Sequence, residues 1–294
     1  MARLETVILP QDEGKPLRRV ATGVLGMSSG QFKRAKFEGG LWLDGERVHA
    51  DARVRAGQRL VIDTPESAPY AVAPWPLPLK IAYEDDQLLV VDKPAPLASV
   101  ASVQKADGLT LENAVYAHLG CPADFCYHPV NRLDKGTSGL MAVAKTAHAQ
   151  QRLQRLLHTP DFLREYLAVC EGAPPQDEGV IDLPIGKEDA ASIRREIRPD
   201  GQPATTHYRV LEKTNSRSLL RLRLETGRTH QIRVHLAALD CPVCGDFLYG
   251  SELAALPRRF ALHSCHLAVR HPTSEQIIVC DSALPPELAA LLHP

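Results

Sequence analysis

At 294 residues, 44% hydrophobic and 23% charged, the sequence is long enough to bury a sizeable core and to divide into two unequal domains, which excludes a disordered chain. Lys plus Arg number 34 against 35 Asp plus Glu, a formal net charge of −1, so binding to nucleic acid has to come from local patches rather than bulk basicity. Seven cysteines form an odd, sparse set in a chain too long to need stapling, and reduced thiols are the expectation.

The N-terminal run MARLETVILPQDEG has no apolar core of signal-peptide length. No later stretch approaches the roughly 18 apolar residues of a membrane span, so a soluble, cytoplasmic protein without membrane contact is expected. Two short helices follow, over Leu17 to Leu25 and Ser29 to Glu38, the second opened by a Ser-rich capping signal and carrying Lys33, Arg34 and Lys36 on one turn. The run LWLDGERVHA predicts a hairpin turning at Asp44 and Gly45, and RVRAGQRLVID a further strand. Together these predict a compact ααβ unit over residues 1 to 64. This segment holds 11 basic and 8 acidic residues (+3), against 23 and 27 (−4) in the rest.

Residues 65 to 79 contain five prolines and one charge, which suits an extended, semi-rigid connector and no helix. A larger domain over 80 to 294 opens with two strands around the acidic turn of KIAYEDDQLLVVDKPA and continues through an amphipathic segment near Leu109 to Leu119. Strand-like runs REYLAVCEG, TTHYRVLEK, SLLRLRLET and FALHSCHLAVRHP are accompanied by helices near Thr146 to His158 and Thr229 to Leu239. Strands that follow one another directly predict an α+β domain with a mixed, mainly antiparallel sheet flanked by helices, and argue against a doubly wound nucleotide-binding fold. Neither a P-loop nor a G-x-G-x-x-G element occurs, so no nucleotide cofactor is indicated.

Three stretches could carry chemistry. In HPVNRLDKGTSGLMAVAKT, a polar loop precedes an apolar strand, and Asp134 has Arg132, Lys135, Thr137 and Ser138 close by. Such a carboxylate is expected to be ionised and oriented by cations and hydroxyls, or else to be an Asp that only caps a turn. In LETGRTHQIRVHLAALDCPVCGDFLYG, Arg228 falls at a strand-to-helix junction with Thr229 as the cap, either holding an anion in a cleft or serving a structural ion pair. In REYLAVCEG, Tyr166 is the one aromatic, either a stacking surface for a base or half-buried packing.

Residues 14 to 62 resemble the small αL-type RNA-binding domain shared with ribosomal protein S-four, which implies that Lys33, Arg34 and Lys36 face structured RNA rather than forming only a solvated helix face. NRLDKGTSGL, REYLAVCEG and GRTHQIRVHLAALDCPVCGDFLYG, in that order, together with DKPAP at 92 to 96 and ALHSCHLAVRHP at 261 to 272, resemble the RluA-type family of pseudouridine synthases over residues 80 to 280. The resemblance implies a pseudouridine synthase fold and isomerisation of a uridine in RNA, without organic cofactor or metal. It implies Asp134 as the catalytic aspartate, Tyr166 packing on the base and taking part in proton removal, and Arg228 pairing with the aspartate. Arg132 and Leu262 are added as RNA-contacting residues, the latter on the pocket wall. Ribosomal RNA is the expected partner, with tRNA as the other candidate; nothing in the residues bears on oligomeric state. Two positions depart from the family pattern: Asn131 where His is common, and Arg164 where Lys is common.

Two rival readings stand beside this one. Cys241 and Cys244, followed by His263, Cys265 and His266, have a spacing that could hold zinc. The chain could also be a non-catalytic RNA-binding protein with an enzyme-like body, although Asp134, Tyr166 and Arg228 are all present.

Overall fold

The computed structural model describes residues 2–27, 29–64, 72–101, 108–123, 125–189 and 192–293, and the chain divides into two compact units, Met1–Ala71 and Val72–Pro294. The first comprises β1 (Ala2–Val7), α1 (Leu17–Gly23), α2 (Ser29–Glu38), β2 (Gly40–Leu43), β3 (Glu46–Arg47) and β4 (Arg59–Thr64). Its four strands pair antiparallel in the order β1-β4-β2-β3. Asp44 and Gly45, at φ of 52° and 87°, make the two-residue turn between β2 and β3, where the twist of a hairpin calls for left-handed backbone. Leu17, Val20 and Ala21 of α1 and Phe32 and Ala35 of α2 form the core with Leu41, Leu43, Leu60 and Ile62 of the sheet.

The first unit differs from the expected ααβ arrangement in three places. Strand β1 was not expected; it is an edge strand, half buried at best, so it shows little apolar patterning. Helix α1 stops at Gly23, two residues early, where Gly23 and Gly26 disfavour helix. Residues 55 to 58 form a turn, with Gly57 at φ 85°, so the last strand begins only at Arg59.

The second unit comprises β5 (Lys80–Glu84), β6 (Leu88–Lys93), α3 (Leu111–His118), β7 (His128–Pro129), β8 (Ser138–Ala144), α4 (Ala147–Leu156), β9 (Phe162–Glu171), β10 (Glu178–Asp182), β11 (Ile185–Lys187), β12 (Arg195–Ile197), β13 (Thr205–Lys213), β14 (Arg217–Leu224), α5 (Gln231–Ala237), β15 (Leu262–Arg270), β16 (Ile277–Asp281) and α6 (Pro286–Ala289). One sheet runs β10-β13-β14-β9-β15-β8-β6-β5, with β16 on β15 and β7 on β8, and β11 pairs with β12 apart from it. Every pairing among the described strands is antiparallel except β15 with β8. The domain is therefore α+β, with helices on both faces of a mixed sheet.

Strands β6 and β8 read as continuous apolar runs because both of their faces are covered. On one face Leu88, Val90, Leu140 and Ala142 meet Ala149 and Leu153 of α4. On the other, Leu89, Val91 and Met141 join Tyr166, Ala168, Leu220 and Leu222 beneath α3 and α5. The connector expected over 65 to 79 is described from residue 72 onward. Residues 65 to 71 lie outside the described residues, while Trp75, Leu77 and Leu79 pack on the core of the second unit. Trp75 N–H donates to the Asn113 carbonyl (3.2 Å) and the Asn113 amide to the Ala73 carbonyl (2.8 Å), so an extended proline-rich strip is fastened to α3. Among the described residues no helix is long and apolar enough to cross a membrane.

Candidate active site

A cleft of about 500 Å³ opens in the second unit between the loop that leads into β8, the end of α4, strand β9, the β14–α5 junction and Leu262. The loop carries Asp134, and both of its flanks are fastened. Asn131 accepts the Ala142 N–H (2.9 Å), Ser99 Oγ donates to the Leu133 carbonyl (2.7 Å) and the Leu97 N–H donates to the Lys135 carbonyl (2.9 Å). A Cβ at Gly136 would lie 2.6 Å from the Phe260 ring, so only glycine lets that aromatic pack against the loop. With 28% of its side chain exposed, Asp134 faces the cleft and is the one acid in its described lining.

The partner of Asp134 is Arg233, not Arg228. Arg233 Nη1 donates to Asp134 Oδ2 at 3.1 Å, while its Nε and Nη2 grip the two oxygens of Asp246 at 2.6 and 2.7 Å. Asp246 is fully buried and also accepts the Leu248 N–H (3.0 Å). Burial alone pulls the Arg233 pKa down, but Asp246 and then Asp134 outweigh it and the net direction is upward. The guanidinium carbon lies 4.1 Å from the Phe260 ring centroid and 5.0 Å from that of Tyr249, a cation held between aromatic faces. Arg228 lines the cleft, yet its Nε donates to the Pro203 carbonyl (2.9 Å), and among the described residues the ion pair of Asp134 is with Arg233.

That turn also differs from the expected cap. The residue before α5 is His230, at φ 59°, and no side chain there caps the helix. Gln231 organises the junction instead, accepting from Arg228 N–H (2.9 Å) and Thr226 Oγ (2.8 Å) and donating to the Thr205 carbonyl (3.0 Å) and Thr206 Oγ (2.9 Å). His230 Nδ1 pairs with the Tyr249 hydroxyl at 2.8 Å.

Tyr166 is buried on β9 and lines the cleft beside Leu262. Burial raises its phenol pKa, with Arg164 opposing and Asp134 reinforcing, so it sits in the cleft wall as a neutral phenol. Arg132 and Lys135 are exposed at the rim. In the separate first unit, Lys33 and Lys36 are exposed, and the Lys36 ammonium lies 4.9 Å from the ring centroid of Phe37, itself 66% exposed.

Two buried polar features behind the loop were not foreseen. Lys93, in the DKPAP segment, has no exposed surface, and its Nζ donates to the carbonyls of Leu97 (2.7 Å) and Pro94 (3.1 Å). Burial lowers its pKa to about 7, with Asp134 opposing and Arg259 adding to the fall. Two acceptors match the two N–H bonds of a neutral amine. Below it runs a relay: Arg259 Nη2 donates to Ser138 Oγ (3.0 Å), Ser138 to His263 Nδ1 (2.9 Å), His263 Nε2 to Ser282 Oγ (3.1 Å) and Ser282 to Asp92 (2.6 Å). Asp92 takes the one Ser282 hydroxyl proton, so His263 Nε2 must donate to Ser282 and the Nδ1 of the neutral ring accepts from Ser138: His263 is the Nε2–H tautomer. Burial, the largest influence on His263, lowers its pKa accordingly.

The residues proposed for zinc are otherwise engaged. Both nitrogens of His263 belong to the relay, His266 pairs with Asp281 (2.7 Å), and Cys265 Sγ lies 3.5 Å from the Glu165 carbonyl. Burial pushes Cys241 up to about 11 and Cys244 higher still, as expected of packed thiols. Among the described residues no three His, Cys, Asp or Glu converge on a metal-sized site.

Residues 87–238 match the family of RNA pseudouridylate synthases. A Bacillus subtilis protein named as the uncharacterised RNA pseudouridine synthase YjbO is 36% identical over 272 residues, covering 92% of this chain and 96% of that protein. The ribosomal large subunit pseudouridine synthase D of Xanthomonas campestris is 37% identical over 281 residues, covering 89% of this chain and 84% of that protein. Among solved structures, human RNA pseudouridylate synthase domain containing 4 superposes with a TM-score of 0.58 at 27% identity, covering 72% of this chain and 91% of that one.

Proposed function

This chain belongs to the RNA pseudouridylate synthase family and is an isomerase of uridine in RNA, and from that premise we propose that Asp134 is its catalytic carboxylate, acting on a nucleotide turned out of the RNA into the cleft. The observation that carries this is the cleft itself: one carboxylate, partly exposed, held by an arginine that a second, buried aspartate clamps. A carboxylate on a loop fastened at both flanks is pre-organised, which is what attack on a sugar or ring carbon, or removal of a sugar proton, requires.

In the reaction the bond from ring nitrogen to the sugar carbon breaks, and a bond from ring carbon five to the same sugar carbon forms. Carbon five then gives up its hydrogen while the ring nitrogen gains one. A uridine in a stacked helix cannot reach Asp134, so the nucleotide has to be extruded, with Tyr166 and Leu262 as the walls of its pocket. As a neutral phenol Tyr166 is suited to stacking; to accept the carbon-five proton it must first release its own. Arg233 takes the pairing role expected of Arg228, which is left to act toward the RNA backbone.

Around Asp134 the lining carries Arg132, Lys135, Arg164 and Arg228, a local positive field in a chain of net charge −1, which supports a polyanionic substrate. Structured ribosomal RNA is the favoured substrate, supported by the large-subunit synthases among the relatives, with tRNA as the second candidate and the cytoplasm as the place of action. The first unit is the RNA-docking module in this reading, with Lys33, Arg34 and Lys36 on its binding helix. Tritium release from RNA labelled at carbon five of uridine tests the assignment. Wild type should release the label and Asp134→Asn should not; equal release by both would remove Asp134 from the chemistry.

A further inference from the structure

Arg164 stands on β9 two residues before Tyr166, is 4% exposed, and lines the cleft. Little of its hydrogen-bonding capacity is met by the protein. Nη2 donates to the carbonyl of Leu157, at the end of α4 (3.2 Å), and the guanidinium carbon lies 5.6 Å from the Phe162 ring centroid. Nε is buried without a partner, and among the described residues no carboxylate pairs with the group. A buried cation in this state is destabilising unless something outside the chain completes it.

The neighbouring backbone is shaped around the same group. Gly227 has no left-handed backbone to demand glycine, yet a Cβ there would lie 3.2 Å from Arg164 Nη1 and 4.0 Å from His158 Cε1. Glycine at this point keeps space open beside the guanidinium. His158, turned by contact of its Nδ1 with the Glu225 carbonyl (3.2 Å), and Arg228 line the same end of the cleft.

We infer that Arg164, with His158 and Arg228 around Gly227, seats one backbone phosphate of the RNA next to the extruded uridine, in an anion site separate from the Asp134–Arg233 pair. The inference rests on the RNA-modifying reading above. A phosphodiester supplies acceptors only and a full negative charge, and its two free oxygens suit the donors of a guanidinium fork. Arg233 is a poorer seat for an anion, because three of its five N–H donors and its whole charge already serve two carboxylates. Held between the end of α4 and Phe162, Arg164 is fixed before the RNA arrives, so little side-chain entropy is lost on binding.

The test is binding of an unmodified large-subunit ribosomal RNA transcript across a salt series, for wild type, Arg164→Gln and Arg164→Lys, with urea unfolding of each protein alongside. Arg164→Gln should bind more weakly and lower the steepness of log K against log salt by about 0.7 to 0.9, one phosphate's worth. Arg164→Lys should keep the wild-type slope, because the charge persists. An unchanged slope in folded Arg164→Gln, or an equal loss in Arg164→Lys, overturns the seat. Should Arg164→Gln fail to fold, Gly227→Val, which fills the space beside the guanidinium, takes its place with the same expected slope loss and the same overturning result. Tritium release by wild type separates the two levels: release with an unchanged slope removes the phosphate seat alone, whereas no release from ribosomal RNA or tRNA removes the isomerase reading and the seat with it.

Discussion

Arg233 serves two carboxylates at once, and the geometry divides the work unequally: Asp246, fully buried, takes the two short parallel bonds, and Asp134 takes one longer bond at the cleft edge. Removing the buried acid strands a buried cation. Asp246→Ala should therefore cost about 3–5 kcal/mol in urea unfolding and abolish turnover, whereas Asp134→Asn should lose turnover with far less effect on stability. A stability loss confined to Asp134→Asn would invert this account. Lys93 leads to a pH prediction. It titrates near 10.5 when unfolded and near 7 when folded, so unfolding takes up a proton between those values and the folded state gains stability as pH rises through that window. Between about pH 7 and about pH 9, wild type should gain on Lys93→Met by up to about 1.4 kcal/mol per pH unit; parallel urea midpoints would contradict a neutral Lys93. As candidates lining one cleft, Asp134 and Tyr166 were readable from the sequence because they stand in distinctive local runs. Arg233 was not. It lies on α5 next to the apolar stripe of Ile232 and Leu236, and its meaning depends on Asp246, thirteen residues on, and on Asp134, ninety-nine residues back. The signal that could have found it is an acid, Asp246, set within the largely apolar run CPVCGDFLYG, since a buried carboxylate needs a cation.

The elements follow the same rule. Strands covered on both faces, such as β6 and β8, and the amphipathic α3 were legible from local pattern. The elements that slipped are those fixed by distant partners: β1, which exists as the edge mate of β4, and the proline strip before β5, fastened by Asn113. The start of α5 is a third case. Thr229 has the residue type of a cap, but the Gln231 amide satisfies four groups from β13 and the β14–α5 turn, and that network places Arg228, His230 and Arg233 relative to one another. Gln231→Ala leaves buried polar groups unmet and should cost about 1–3 kcal/mol by urea unfolding, with a matching fall in turnover as the junction loosens. Full stability and activity in that variant would show that the turn holds its shape without the amide.

At the scale of the molecule, a near-neutral chain concentrates cations in two places: in the cleft of the second unit, and in a first unit of net charge +3 over residues 1 to 64. On the first unit, exposed Phe37 beside Lys36 offers a face for base stacking next to a phosphate-seeking charge. Replacing Lys33, Arg34 and Lys36 together by alanine should weaken RNA binding and flatten its salt dependence without altering the unfolding midpoint of the second unit; unchanged binding would deny the first unit its docking role. The division into a small basic unit and a large α+β unit was visible in the sequence through charge and proline content. Which RNA is modified depends on surfaces whose partner is another molecule, and no pattern within one chain encodes that directly. The most direct test of the central claim is tritium release from carbon-five-labelled uridine, with unmodified large-subunit ribosomal RNA and tRNA offered in parallel to wild type and to Asp134→Asn. Release by wild type from the ribosomal RNA that disappears in the variant is the predicted result; release that persists in Asp134→Asn, or none from either RNA despite tight binding by wild type, would contradict the account.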